Sequence, residues 1–499
     1  MRGYPIVLTA DRTLIADYRI LFDGMIVAGL TTATPRVLME KMLMPRAKEI
    51  NGRAQVAPLG LRRIEAALRL GGFRAGEVAV VTPESVGAAI GSATRLVGIC
   101  SGEPAGQGMN TSTMVAIAGG QIYPQAMFHR LIGDVRRAID AAGSEAKVML
   151  GGPGAWQVAQ DADARRQLGI DYVVTGYAEG NIAQTVRSLL QGEALPAVIC
   201  GEGVSADAVP PILGASTMGV VEISRGCGLG CGFCTIGTVP MQHLPEETIL
   251  ADAQTNISGG MTSIAALSED FFRYGGKGAV VNPAAVTSLL TRLRALPGLR
   301  LIQLDHANVT SIAQYSDEEL CKVRALIVGD NRHNFPWVNV GVETASGALL
   351  HANGGAAKMG RCPEDAWGDL CAEQLRRLCR AGFFPLVSLI IGLPGETEAD
   401  VRRTLEWVAA ISKERLAVFP VLYAPIDGSA GADGLSRRQW QLVRASYRTV
   451  FRWIPHMYWD NRTGAGVPLA QRLLPQMLGY GKAVQWNLLF AQHARRARR

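Results

Sequence analysis

Arg225-Gly226-Cys227-Gly228-Leu229-Gly230-Cys231-Gly232-Phe233-Cys234 is the stretch on which the reading of this chain turns. Its three cysteines stand at C-x3-C-x2-C spacing, directly after an apolar run at 219–223 that reads as a short buried strand. Gly228, Gly230 and Gly232 let the backbone wrap closely round a ligand and aim amides at it. A structural zinc site wants four ligands. Three thiolates can hold three irons of a [4Fe–4S] cluster and leave the fourth iron open. Cys227, Cys231 and Cys234 are therefore the metal candidates, with buried or loosely zinc-binding thiols as the alternative. The other six cysteines, Cys100, Cys200, Cys321, Cys362, Cys371 and Cys379, have no such spacing and read as inert thiols.

Downstream of this loop, short apolar runs recur at 263–267, 301–304, 338–342, 387–391 and 417–422, with helical runs between them. Six such units predict a partial (β/α)6 barrel over 217–429, with its chemistry at the strand C-termini. Upstream, strands at 78–81, 96–100, 148–150 and 171–175 alternate with helices, among them 61–70 behind Pro58. This predicts an α/β, Rossmann-like doubly wound domain over 58–182, whose ligands sit beyond the strand carboxyl ends. Residues 1–57 read as an ambiguous N-terminal segment, 183–216 as a linker, and 430–499, rich in Arg, Trp and Leu, as a C-terminal helical cap.

Composition sets the outer limits. Of 499 residues, 48% are hydrophobic and 19% charged, so packed cores are affordable and global disorder is excluded. The net charge of +7 is mild, and the Arg-rich end 495–499 reads as solvated and not as a nucleic-acid arm. No apolar run reaches the ~18–20 residues that span a bilayer. The start does not read as a signal peptide. The expectation is a cytoplasmic protein with neither membrane nor nucleic-acid partner, whose clustered cysteines serve metal.

The cysteine loop, with an aromatic residue before its last Cys and a strand in front, resembles that of the radical S-adenosylmethionine (SAM) superfamily. Gly341-Val342-Glu343-Thr344-Ala345-Ser346 is similar to that family's fourth-strand segment near the SAM ribose and carboxylate. The run Gly392-Leu393-Pro394-Gly395-Glu396-Thr397 is similar to its fifth-strand segment at the adenine, and Ser268-Glu269-Asp270-Phe271-Phe272 to its second-strand segment beside the methionine group. The resemblance implies that Glu343, Ser346, Gly392 and Pro394 bind SAM on a [4Fe–4S] cluster. It also puts Glu269 and Asp270 near the SAM amino group. Either they neutralise that ammonium, or Glu269 ligates the fourth iron and blocks radical generation.

Residues 58–182 resemble the cobalamin-binding domain fused ahead of the barrel in one large subgroup. The matching stretches are Pro58-Leu59-Gly60-Leu61, Val97-Gly98-Ile99-Cys100, Gly151-Gly152-Pro153 and Thr175-Gly176-Tyr177-Ala178-Glu179-Gly180. This implies cobalamin contacts from Gly98, Ser101, Gly151, Gly152, Gly176 and Glu179. Arg62 and Arg63 stand where the family has bulky apolar residues, and Arg69 ends the same helix. They are either a solvated helix face or cations under the corrin, where they would disfavour a lower axial ligand.

Together these resemblances imply a cobalamin-dependent methyltransferase that moves a methyl group from SAM to carbon. The expected substrate is a small molecule, with C2 of tryptophan in antibiotic biosynthesis the best match, since the departures resemble the tryptophan 2-C-methyltransferases. An external electron donor such as flavodoxin or ferredoxin would reduce the cluster. Tyr315, His306 and Asp305 are the candidates for a general base. The alternatives are a radical enzyme methylating an sp3 carbon or catalysing cyclisation or oxidation, an RNA-modifying methylthiotransferase, and a non-catalytic iron–sulfur protein. The methylthiotransferase needs three further cysteines in the front domain, which has only Cys100 and Cys200.

Overall fold

The computed structural model describes residues 3–330, 333–425 and 434–496. It divides into two compact units. The first holds the chain up to Gln107, Gly119–Val221 and Pro245–Met261, and the second Gly108–Ala118, Glu222–Leu244 and the chain from Thr262 on.

The first unit is built on six parallel strands: β1 (Ile6–Ala10), β2 (Val78–Val80), β3 (Leu96–Cys100), β4 (Lys147–Gly151), β5 (Tyr172–Thr175) and β6 (Val198–Cys200). Their order in the sheet is β2-β1-β3-β4-β5-β6. The interior strands are runs rich in Val, Ile, Leu and Ala and are largely buried, as helices packed on either side of a parallel sheet require, while the edge strand Val198–Cys200 buries only Ile199. The chain leaves β1 first toward one edge and later toward the other. The switch point thus lies beside β1, and ligands of such sheets bind there. Two boundaries move relative to the sequence reading. The segment 1–57 supplies β1, an interior strand, and the stretch 183–216 supplies the edge strand β6.

Barrel strands follow in chain order: β7 (Val220–Glu222), β8 (Ser263–Leu267), β9 (Leu301–Leu304), β10 (His306–Ala307), β11 (Trp337–Glu343), β12 (Phe384–Ile391) and β13 (Ala417–Leu422). They form the sheets β7-β8-β9 and β10-β11-β12-β13, and β9 and β10 are one path interrupted at Asp305. This is the six-fold parallel alternation read from the sequence. The helix Glu246–Ser258 groups with the first unit and not with the barrel. There the Asn256 side chain accepts a bond from the Ser216 amide (2.7 Å). Past the barrel run two 28-residue helices, Arg437–Gly464 and Leu469–Arg496. Tyr447, Phe451, Trp486 and Phe490 pack their rings together between them, so these aromatics are core. The Arg-rich end beyond residue 496 lies outside the described residues. No helix among the described residues is long and apolar enough to cross a membrane.

Candidate active site

The cysteine loop leaves β7 on a buried brace. Arg225 donates from Nε and Nη2 to the two carboxylate oxygens of Glu222 (2.8 and 3.0 Å). Gly226 then turns with φ +72°, and a Cβ there would stand 2.5 Å from the Pro240 carbonyl, so only glycine fits. The loop is closed by the Cys227 amide on the Val239 carbonyl (2.9 Å) and the Gly230 amide on that of Gly237 (2.8 Å). Arg273 donates to the Cys227 carbonyl (3.1 Å). Burial pushes the Cys227 and Cys231 thiols up, Cys231 to about 11, while Arg273 and Lys358 act the other way. Thiolates placed there need cations beside them, which irons supply. Among the described residues no three His, Cys, Asp or Glu side chains converge on one point as ligands of a single ion. Three cysteines on one glycine-rich loop are the ligand type of an iron–sulfur cluster. The donor set fits a cluster.

The mouth of the barrel, at the strand carboxyl ends, is densely charged. His306 Nδ1 lies 2.9 Å from Asp305 Oδ1. This imidazole is partly exposed; the desolvation it does suffer opposes its charge, but Asp305, Glu269 and Glu343 outweigh that and lift its pKa to about 9. His306 is therefore a cation at neutral pH and not a ready base. Glu269 is half-buried, and desolvation raises its pKa. It also lies within electrostatic reach of the Cys227 thiol. Glu343, in a β-bulge with φ +67°, is ion-paired to the buried Lys358. Burial works against charge on Lys358, and the Glu343 carboxylate more than compensates, so its pKa stays above the usual value.

Several residues read from the sequence as ligand contacts are committed elsewhere. Asp270 is fully buried and accepts from the Asn308 amide (3.2 Å) and the Ser311 hydroxyl (2.5 Å). Desolvation lifts its pKa to about 6. It secures the turn after β10. Tyr315, read as a base, is buried edge-on to Phe272 and donates its hydroxyl to the Phe272 carbonyl (2.8 Å). Burial pushes its pKa far up, so it stays a protonated structural phenol. Ser346 caps the helix Gly347–Ala352 by accepting from the Leu349 amide (3.4 Å). Gly392 has φ +84°, and its amide donates to Glu396 (2.9 Å), which also accepts from Gln439 (2.7 Å). Pro394 presents its carbonyl to Asn353 (3.0 Å). Lys358, Arg273 and Asn353 escaped the sequence reading because an isolated Lys, Arg or Asn carries no local pattern.

In the first unit the arginines also take other roles. Arg62 is buried and donates to the carbonyls of Ala54 (2.9 Å), Gln55 (3.1 Å) and Ala215 (3.1 Å), and to Glu65 (2.8 Å). Arg63 pairs with both oxygens of the fully buried Asp252 and donates to the Pro210 carbonyl (2.6 Å). Arg69 donates to the Phe73 carbonyl at the end of its own helix. These guanidiniums tie chain segments together, because a buried cation must be paired. Gly98 lies inside β3, where a Cβ would come 2.7 Å from Leu8 Cδ2, so it is a packing glycine. Gly151, Gly152, Gly176 and Glu179 do stand at the carboxyl edge of β4 and β5. A Cβ on Gly152 would meet Cys100 Sγ and the Ser101 carbonyl, each at 2.8 Å. Ser101 is fully buried there, and its hydroxyl has no hydrogen-bond partner among the described residues. An orphaned hydroxyl at the switch-point edge fits a polar cofactor group.

Comparison with known proteins agrees with this geometry. Residues 221–408 match the radical SAM superfamily. Ribosomal protein uS12 methylthiotransferases RimO of Trichlorobacter lovleyi and Geotalea uraniireducens are each 25% identical, over 242 and 234 residues, covering 46% of this chain and 48% of theirs. The chain thus spans about half the length of the curated relatives it matches. The radical SAM methyltransferase TsrM from Kitasatospora setae, solved with cobalamin and a [4Fe-4S] cluster bound, shares the fold with a TM-score of 0.53 at 16% identity, over 86% of this chain and 80% of its own. The same enzyme with tryptophan and a SAM analogue gives 0.53 and 16% over 85% and 75%. Residues 221–408 are therefore a radical SAM domain, set in a chain whose fold is that of a solved radical SAM methyltransferase.

Proposed function

We propose that this protein is a cobalamin-dependent C-methyltransferase that takes a methyl group from SAM and delivers it to a carbon of a small molecule, with C2 of a tryptophan indole as the leading candidate. The observation that supports this most is the pairing, on one chain, of a switch-point sheet bearing an orphaned Ser101 hydroxyl with a three-cysteine loop on a parallel barrel. When bound, the cluster would supply an electron, and the corrinoid a carrier for the methyl group. The chain's own part is electrostatic. Glu343 and Lys358 offer one charge of each sign to an amino-acid zwitterion. Glu269 is the candidate fourth ligand of the cluster. Asp305, which accepts from His306 and from Asn339 Nδ2 (3.3 Å), is the carboxylate left to take a substrate proton, with His306 as its charged partner. The external reductant and a cytoplasmic setting remain part of this proposal.

The methylthiotransferase relatives suggest a competing reading, which one feature opposes. Cys100 is buried, and desolvation beside Asp11 pushes its thiol up to about 12, so it is a poor second metal ligand.

The test is an absorption spectrum of protein purified and reconstituted without oxygen, followed by a count of products from SAM. Bound corrinoid with S-adenosylhomocysteine alone is expected for polar transfer to an indole carbon. Additional 5′-deoxyadenosine would move the assignment to radical methylation of an sp3 carbon. Absence of any corrinoid after reconstitution would remove the methyltransferase assignment.

A further inference from the structure

Residue Asn353 touches two segments that lie far apart in the sequence, the cysteine loop and the segment 392–397. It follows the helix Gly347–Ala352, whose last turn it closes. Its backbone carbonyl accepts from the Gly232 amide (3.0 Å), inside the cysteine loop. Its side-chain amide donates to the Pro394 carbonyl (3.0 Å) and to the Leu349 carbonyl (2.9 Å). The bond to Leu349 fixes the side chain, so the bond to Pro394 is held and not incidental. The next residue, Gly354, has φ +80°, and a Cβ on it would stand 2.9 Å from both the Gly230 carbonyl and the Gly232 amide. The cysteine loop is therefore pressed onto this turn.

The segment on the other side turns on two glycines. Gly392 and Gly395 have φ +84° and +80°, and a Cβ on either would meet nothing within 4 Å. Leu393 anchors that turn in the core and its carbonyl accepts from the Glu396 amide (2.9 Å), while on the Pro394 side the side-chain hold comes from the Asn353 amide. We propose that Asn353 is a positioning residue for SAM, one that fixes the spacing between the cysteine loop and the 392–397 turn. This rests on the reading of the first as the cluster loop and the second as the adenine contact. SAM would lie between the cysteine loop and the adenine contact, so both ends must be in place together. With the tie present, that order is built into the protein. Without it, SAM must order the turn on binding and gives up affinity.

The experiment uses the full chain, reconstituted without oxygen, as wild type, Asn353→Ala and Asn353→Asp. Neither substitution removes the backbone bond to Gly232, so the cysteine loop should stay formed. Iron and sulfide per chain, the electron paramagnetic resonance of the reduced cluster without SAM, and the calorimetric Kd for SAM are measured. The expected result is unchanged iron, sulfide and SAM-free signal, with Kd for SAM raised about five- to tenfold in both variants, as the loss of one or two neutral hydrogen bonds implies. A Kd within about twofold of wild type would overturn the proposal. So would loss of iron in step with affinity, which would make Asn353 a support of the cysteine loop alone. A wild-type chain that takes up no cluster would sink the reading beneath it, and the proposal with it.

Discussion

Two carboxyl edges of parallel sheet occur in this molecule, and they are furnished very differently. Along β3, β4 and β5 the edge is glycine and hydroxyl: Ser101, Gly151, Gly152, Gly176. At the barrel mouth it is thiol and charge: Cys227, Glu269, Asp305, His306, Glu343 and Lys358. Strand direction says where a ligand goes in both cases. The side chains say what kind. Small residues let backbone amides and carbonyls approach a large, roughly neutral guest, and a charged rim suits a zwitterionic sulfonium on an iron–sulfur centre.

Four measurements would break or sharpen that contrast. The largest effect is expected from Cys227→Ala, Cys231→Ala and Cys234→Ala together. Iron analysis should find the cluster lost, and turnover should fall below detection. Turnover that survives would mean the charged edge works without iron. Next comes Arg63→Met, which leaves Asp252 buried and ionised without its partner. Thermal unfolding should show the first unit destabilised by about 3–5 kcal/mol. If stability holds and corrinoid binding vanishes instead, Arg63 belongs to the cofactor. Ser101→Ala removes an orphaned hydroxyl, so stability should hold while corrinoid affinity falls about five- to tenfold in a spectroscopic titration. Unchanged affinity would take Ser101 out of the neutral edge's function.

The smallest effect belongs to His306→Gln. The folded pKa of His306 lies above the unfolded value of about 6.5, at about 9. Its contribution to stability is therefore complete below pH ~6.5 and is lost as pH rises through 9. The variant should lower Tm by about one to two degrees at pH 6, since the imidazole is partly exposed, and by nothing measurable at pH 10. An equal loss at both values would show that charge on His306 is not what holds the pair.

Legibility followed the range of the interactions. The cysteine loop and the barrel strands could be read because a buried parallel strand is a continuous apolar run and the loop is local in sequence. The place of β1 could not, since its partner strands lie far along the chain. Arg62 and Arg63 looked functional because a cation in an apolar position is conspicuous, but Asp252 stands 189 residues from Arg63. Asp270 and Tyr315 were read for their chemistry, and their burial consumed it: each spends its polar atoms on neighbouring backbone or hydroxyl groups. Glu343 was found by motif, whereas its partner Lys358 had no signal at all.

The bond between Arg63 and Asp252 also governs how the polypeptide can be dissected. A cut near residue 216, where the sequence suggests a seam, would leave Arg63, Pro210 and Ile212 on one piece and carry Asp252 away on the other. The front piece would keep an uncompensated guanidinium in its interior, and the back piece would expose the polar flank of Glu246–Ser258 to solvent. Separately expressed halves should aggregate or unfold unless the front one is lent that helix.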